Sequence, residues 1–288
     1  MGKLTLTILF LGSLILARRN VLVGRADTRG AVRVFVTVFL LGGPAFVLLA
    51  YPHLPELGIL AIYSFAVGVF WATFTASCYL ALEPFVRRRH PAWLVSWNRL
   101  LEARWRDPLV GRDVMIGTLG GVVMSLIGET VGMFGKWPIG AGDMQSAAVG
   151  GWTAFAFVLR GLINGMQIGL LLMLVLGVLQ NWLRSDRWGW GLWLVLNALF
   201  IDQGGLAVYW PAAVPEAIVF GVILSRSGLT GAAVAGWIFT MFNEECHTLH
   251  LSAWFANVTL ATLFAVALLV AWGFSAATRG ARPARPAT

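Results

Sequence analysis

Residues 161–183 read GLINGMQIGLLLMLVLGVLQNWL and contain no charged side chain. A helix of about 20 apolar residues is long enough to cross the hydrocarbon core of a bilayer. The whole chain has a matching composition, since 58% of its 288 residues are hydrophobic and only 12% are charged. Soluble domains carry about 25% charged residues. We therefore expect an all-α, polytopic bundle of transmembrane helices without a soluble domain.

Further apolar stretches flank this one on both sides, and together they predict about nine spans. Their approximate ranges are 4–17, 34–51, 58–81, 114–133, 161–183, 189–206, 212–225, 229–243 and 251–274. The polar turn at Arg226, Ser227 and Gly228 leaves a second interpretation open, in which the short seventh and eighth spans form one broken hairpin. Residues 1–278 are expected to form a single transmembrane domain, and 279–288 a disordered tail.

The distribution of basic residues gives the predicted orientation, because cytoplasmic loops of membrane proteins collect Lys and Arg. With the N-terminus outside, 18 of the 21 basic residues fall in inside loops or in the tail. These regions are 18–33, 82–113, 184–188, 226–228 and the residues after 275. The C-terminus is therefore predicted to be cytoplasmic. The net charge of +8 follows from this bias and does not require a nucleic acid partner.

The inside loop 82–113 contains an amphipathic pattern. Pro91 favours the start of a helix, and Asp107 followed by Pro108 favours its end. Such a helix would lie in the headgroup plane, with aromatic side chains in the acyl boundary and arginines near lipid phosphates. It would either connect spans three and four or provide a docking face for a partner. The residues that define it are Trp93, Trp97, Leu101, Trp105, Arg99 and Arg106.

Three stretches of the chain resemble one family of membrane regions. They are YLALEPFVRRRHPAWLVSWNRLLEARWRDPLVGRDVMIG (79–117), ILARRNVLVGRADTRGA (15–31) and LHLSAWFANVTLATLFAVALLVAWGF (249–274). They are similar, in the same order, to the multi-pass membrane domain at the C-terminus of acidobacterial serine/threonine protein kinases. The resemblance covers nearly the whole chain and implies a bacterial cytoplasmic (inner) membrane.

The kinase itself has no counterpart in this sequence. Neither an HRD nor a DFG triplet occurs, and Lys3 and Lys136 are the only lysines, so a catalytic loop lacks its metal-binding and ATP-binding partners. We expect a membrane module without its kinase, recruited as an accessory subunit. The most concrete case that the resemblance implies is a subunit of the acidobacterial homodimeric type-I photosynthetic reaction centre, partnered by the reaction-centre core subunits and by lipids.

Glu129 and Arg160 are ionisable residues within or directly beside predicted membrane spans. Placing a charged side chain inside a bilayer is unfavourable in free energy. Glu129 lies toward the outer end of span four, and Arg160 enters span five from the same side. The two are predicted to form an intramembrane ion pair that fixes helix packing; a proton relay or transport role is the alternative. Asp202 and Glu216 are expected near the outer interface.

Glycines at helical spacing follow spans four and five. Small residues of this kind let helix backbones approach closely in a membrane. We expect these stripes to pack against each other within the chain, with a partner's helix, a pigment or a lipid as the alternative. The helix-packing residues are Gly117, Gly121, Gly128, Gly132, Gly161, Gly165 and Gly169.

Residues 244–250 hold the densest group of metal-ligand side chains: Glu244, Glu245, Cys246, His247 and His250. The residue types suit zinc, but the spacing matches no strong metal signature, and no metal site is predicted. The family has an acidic residue at the position of His250, so the resemblance leaves open a new role as an axial ligand to chlorophyll magnesium. His250 and His247 are thus speculative pigment ligands, and no cofactor is required beyond a peripheral chlorophyll or bound lipid.

The sequence contains no nucleophile turn, zinc-protease helix or phosphate-cradling loop, so no catalytic residues are predicted and the protein is not expected to be an enzyme. The first hypothesis is a structural accessory subunit of a larger membrane complex. The second is a membrane sensor or anchor that binds a separate serine/threonine kinase through the loop 82–113. A small-solute transporter is the third hypothesis, and it predicts an aqueous cavity that reaches Glu129 and Arg160.

Overall fold

The computed structural model describes residues 2–51, 56–135, 151–201, 210–243, 247–250, 252–253 and 256–279. Within these ranges the chain forms nine α-helices, one short 3₁₀ turn and no strand. The helices are α1 (Gly2–Leu22), α2 (Thr28–Ala50), α3 (Leu57–Arg89), α4 (Val95–Leu101), α5 (Pro108–Gly135), α6 (Gly151–Leu183), α7 (Asp186–Ile201), α8 (Trp210–Asn243) and α9 (Ala256–Arg279). The 3₁₀ turn, Pro91–Leu94, immediately precedes α4. The all-α prediction is therefore confirmed for this part of the chain.

Six of the described helices are long and apolar enough to cross a membrane: α2, α3, α5, α6, α8 and α9. The expected count of about nine spans is not confirmed by this measure. The 16 residues of α7 extend about 24 Å at 1.5 Å per residue, which is short of a hydrocarbon core of about 30 Å. The predicted spans seven and eight both belong to α8 and count once.

The two halves of α8 fold back on each other at Gly228, which has φ 59° and ψ −149°. A Cβ placed on Gly128 of α5 would lie 2.9 Å from Glu216 Oε1 and 3.5 Å from Asn243 Oδ1. Glu216 and Asn243 stand near opposite ends of α8, so only a hairpin brings both to one point on α5. The polar turn at 226–228 predicted this hairpin as the second interpretation of spans seven and eight.

The second half of α8 lies between α5 and α6. Gly117 of α5 faces the carbonyl of Gly231, and Gly165 of α6 faces the backbone of Ala233 and Trp237. The two glycine stripes therefore do not pack against each other, as the sequence suggested, but against two sides of one half-helix. The helical spacing of the glycines identifies both stripes, but it carries no information on which helix lies between them.

The helices around the loop 82–113 are longer than expected. Helix α3 continues to Arg89 and α5 begins at Pro108, so only residues 90–107 connect them. The predicted amphipathic helix is the 3₁₀ turn followed by the seven-residue α4. Leu94 and Trp97 are each 3% exposed and belong to the main hydrophobic core. The placement of Trp97 in the acyl boundary was wrong, because this segment packs across the end of its own bundle.

Candidate functional site

The five salt bridges of the described residues lie at one end of the bundle, which we call the arginine-rich end. It comprises the turn 23–27 between α1 and α2, the last turns of α3 and the connector 90–107. The sequence placed most arginines in loops, but several extend the helices instead. Arg18 and Arg19 lie in α1, Arg29 and Arg33 in α2, and Arg87 in α3.

Asp27 and Tyr79 join α2 to α3 at this end. Asp27 is the N-cap of α2, and its Oδ1 accepts a hydrogen bond of 2.9 Å from the backbone N–H of Gly30. The fully buried Tyr79 donates from its hydroxyl to Asp27 Oδ2 at 3.1 Å. Asn98 Oδ1 of α4 lies 3.4 Å from the same hydroxyl. Both carboxylate oxygens are thus satisfied, as a capping Asp beside a core requires.

Glu83 and Arg87 hold the turn 23–27 against α3. The Glu83 side chain is 5% exposed, and its Oε1 lies 2.7 Å from Arg87 Nη2. The same nitrogen donates to the carbonyl oxygen of Arg25 at 3.1 Å. A buried carboxylate needs such a partner, since an isolated buried charge is strongly unfavourable. The pair therefore fixes the position of the turn relative to α3.

A cleft of about 580 Å³ opens between this turn and α3. Four arginines and one aspartate give its wall a net positive charge. The lining residues are Gly24, Arg25, Ala26, Asp27, Thr28, Arg29, Pro84, Arg87 and Arg88. A concave basic surface of this kind suits an anionic group, because guanidinium groups bind phosphate and carboxylate oxygens in a bidentate manner.

A second polar network joins the connector to α5 and the hairpin turn of α8. Ser96 Oγ lies 3.0 Å from Thr230 Oγ1. Arg112 bonds Asp113 Oδ1 at 3.2 Å and the carbonyl oxygen of Arg226 at 2.9 Å. The side chain of Asp113 is only 5% exposed. These bonds position the tip of the α8 hairpin beneath the connector.

Arg99 and Asp107 close the connector on itself. Arg99 Nη1 lies 2.8 Å from Asp107 Oδ1, and the Leu109 backbone N–H donates to that oxygen at 2.9 Å. Partial burial of Asp107 disfavours its charged form, but the hydrogen bonds from Arg99 and Leu109 outweigh this effect. The pKa of Asp107 is therefore held below its usual value.

The predicted interfacial residues divide between the core and the surface. Trp93 stacks on His90 with ring centroids 4.0 Å apart, and Trp97 is buried. Trp105 is 59% exposed, and its carbonyl oxygen accepts a hydrogen bond from Trp272 Nε1. Leu101 is half-buried against the core, and Arg106 is exposed.

The predicted helix-packing glycines lie in close contact with neighbouring helices wherever contacts are described, four of them against backbone atoms and Gly128 and Gly161 against side chains. A Cβ on Gly121 would lie 2.8 Å from the carbonyl oxygen of Ala235, and one on Gly169 would lie 3.0 Å from the nitrogen of Ala233. Gly161 faces the ring of Trp237 at 2.9 Å. Gly128 faces Glu216, as given above, and Gly132 lies one turn further along α5. The close contacts leave no room for larger side chains on these faces.

Glu129 and Arg160 are not brought together as an ion pair among the residues that the structure describes. Helices α5 and α6 pack on either side of the second half of α8. The Arg160 guanidinium lies 5.7 Å from the centre of the Phe157 ring on its own helix. The prediction assumed that consecutive spans are neighbours, and an intervening hairpin breaks that assumption.

Of the predicted ligand cluster, His247 and His250 are described, while Glu244, Glu245 and Cys246 lie outside the described residues. His247 Nε2 lies 2.9 Å from the carbonyl oxygen of Met241. The side chain of His250 is exposed. No group of three or more His, Cys, Asp or Glu residues is placed for a metal ion within the described ranges. His250 is thus the more accessible of the two for an external ligand.

Sequence reasoning missed the carboxylates that the fold buries. Glu216, which was expected near the outer interface without any packing role, is 3% exposed and lies against Gly128 of α5. Asp27, Glu83 and Asp113 also received no role. Two local signals were present in the sequence: Asp27 precedes a helix as an N-cap, and Glu83 stands four residues before Arg87.

Comparisons of the chain with protein families, curated proteins and solved structures found no match.

Proposed function

We propose that this protein is a non-catalytic integral membrane subunit that supports a larger membrane complex. The proposal rests on the close approach of three helix backbones. Gly117 and Gly121 of α5 and Gly165 of α6 lie against the backbone of the second half of α8. Close packing through small residues is how helices associate in lipid. It yields a rigid unit suited to holding a partner in place.

The periphery of the bundle supports binding to other membrane helices or lipid. Large apolar side chains are exposed on its outer helices, for example Leu40 (63%), Ile62 (73%) and Phe264 (65%). Exposed apolar faces of this extent belong in contact with acyl chains or with another membrane protein. The partner that the family resemblance implies is the core of a homodimeric type-I photosynthetic reaction centre, and this assignment rests on the resemblance alone.

The proposed topology retains nine crossings, counting α1, α7 and each half of α8. The arginine-rich end then faces the cytoplasm of a bacterium, and the N-terminus lies outside. The antiparallel halves of α8 support counting this helix twice, because Glu216 of the first half and Asn243 of the second half both lie near Gly128 of α5. A peripheral chlorophyll at the exposed His250, or a bound lipid, is compatible with the proposal but is not required by it.

Isolation of the native complex tests this function. The tagged chain is purified from native membranes in a mild detergent, the partners are identified by mass spectrometry, and the absorption spectrum of the eluate is recorded. A large pigmented complex is the expected result, and membranes from an untagged strain are the control. Recovery of the chain alone, without any stoichiometric membrane partner, would contradict the proposal and favour the transporter hypothesis.

A second candidate function is a membrane anchor for a separate serine/threonine kinase. It is favoured by the exposed surface of the connector, where Trp105 is 59% exposed between the exposed Arg104 and Arg106. Aromatic and arginine side chains dominate binding hot spots. Trp105→Ala should then reduce kinase recovery, whereas Trp188→Ala, at a site that is 75% exposed, should not.

A further inference from the structure

The cleft at the arginine-rich end has no role in the proposed function, and we propose that it holds the phosphate-bearing headgroup of an anionic phospholipid. Its volume of about 580 Å³ falls within the range of about 300–1,000 Å³ that small-molecule sites occupy. Basic pockets beside transmembrane helices are suited to anionic headgroups. The site does not depend on the identity of any protein partner.

Unpaired positive charge in the cleft is the first argument. Arg25, Arg29 and Arg88 have no acidic partner among the described residues, while Arg87 is shared with Glu83. The one carboxylate in the lining, Asp27, is already bonded by Gly30 and Tyr79. The arginines are therefore available to an anion, and the aspartate is held in place by other donors.

The second argument is the apolar surface beside the cleft, which selects a lipid over free phosphate. Leu22 is 74% exposed and Val23 is 53% exposed, directly before the lining residues Gly24 and Arg25. Val32, one turn into α2, is 61% exposed. Acyl chains would cover these side chains while the phosphate contacts the arginines. A free phosphate ion would leave the apolar surface uncovered.

The third argument is that the cleft is built by fixed contacts. The Arg25 carbonyl oxygen is held by Arg87, and Tyr79 holds Asp27. A Cβ at Gly30 would lie 2.6 Å from the Tyr79 hydroxyl, so this close approach needs glycine. The wall of the cleft is therefore arranged before a ligand arrives, which lowers the entropic cost of binding.

The test compares two charge-matched variants of the full-length chain. In Arg29→Gln/Arg88→Gln, two arginines are removed from the cleft; in Arg106→Gln/Arg279→Gln, two exposed arginines are removed from elsewhere on the protein. Retention of phosphatidylglycerol against phosphatidylcholine is measured by native mass spectrometry after detergent extraction, with size-exclusion chromatography to check folding. The cleft variant should lose phosphatidylglycerol affinity about tenfold or more, since charge-assisted hydrogen bonds are lost.

Two further experiments distinguish a lipid headgroup from free phosphate and provide a conservative variant in case the glutamine variant does not fold. Leu22→Ser/Val23→Ser should weaken phosphatidylglycerol binding, and inorganic phosphate should not compete for the site. Arg29→Lys/Arg88→Lys keeps the charge but removes the guanidinium fork, so an intermediate loss is expected even if the glutamine variant does not fold. Equal losses in both charge-matched variants, equal binding of phosphatidylcholine, or full competition by inorganic phosphate would each overturn the proposal.

Discussion

The hydroxyl of Tyr79 donates to the carboxylate of Asp27 across 3.1 Å, although 52 positions separate the two residues in the chain. This bond connects the N-cap of α2 to the C-terminal third of the long helix α3. It also fixes the wall of the basic cleft, because Asp27 lies in the turn that lines it. One tyrosine hydroxyl therefore contributes both to helix packing and to the shape of the candidate lipid site.

Removal of this hydroxyl should destabilise the protein. Tyr79→Phe leaves one oxygen of the partly buried Asp27 without its donor, which is expected to cost about 1–3 kcal/mol. Thermal unfolding in detergent, followed by circular dichroism, measures the change. Tyr63→Phe is the matched control, because Tyr63 is 47% exposed and surface changes are usually within about 0.5 kcal/mol. Equal effects of the two substitutions would show that the bond does not contribute.

Gly165→Ala should separate α6 from the second half of α8. The added methyl group would collide with the Ala233 carbonyl oxygen and the Trp237 backbone nitrogen, neither of which can rotate away. Overpacking of this kind costs about 1–3 kcal/mol. Gly191→Ala on α7 is the control, since nothing lies within 4 Å of a Cβ there. That variant should be neutral or gain up to about 1 kcal/mol from helix propensity. If Gly165→Ala were as stable as the Gly191→Ala control, the close contact between the backbones of α6 and α8 would be refuted.

Gly228→Ala should disturb the hairpin turn of α8. Its φ of 59° with ψ of −149° belongs to a region that is essentially restricted to glycine, and a Cβ would also meet the backbone of Trp93. Gly24 provides a comparison, with φ of +66° and nothing within 4 Å of a Cβ. We expect Gly228→Ala to lower the midpoint of thermal unfolding by clearly more than Gly24→Ala. A smaller effect at Gly228 would indicate that the turn tolerates a side chain.

Acidification should remove the stabilising contribution of Asp107. Its pKa in the folded protein is depressed, so the contribution is fully present above the unfolded pKa of about 3.9 and is lost as the pH falls through the lower folded value. The stability difference between the wild type and Asp107→Asn should therefore shrink between pH 7 and pH 3. Glu102→Gln is the control, because the Glu102 side chain is 43% exposed. A difference that stays constant with pH would argue against the Arg99–Asp107 interaction.

The sequence predicted the all-helical class and most of the helices, because hydropathy measures how favourably each segment transfers from water into lipid. It also predicted the turn at Gly228, since a polar Arg-Ser-Gly sequence interrupts an apolar run. The helix ends were less well predicted. Arg87 and Arg89 were assigned to a loop because they are charged, but the helix of α3 continues through them so that Arg87 can reach Glu83.

The sequence by itself determined that the chain is helical, apolar and arginine-rich at one end of its predicted helices. These are local properties, set by residue type and by the spacing of apolar residues. Only the tertiary structure decided that the α8 hairpin packs against both α5 and α6, that Glu216 is buried, and that Asp27 meets Tyr79. Such relationships depend on which helix faces come together. Many arrangements bury the same apolar area, and steric fit at residues such as Gly165 selects among them.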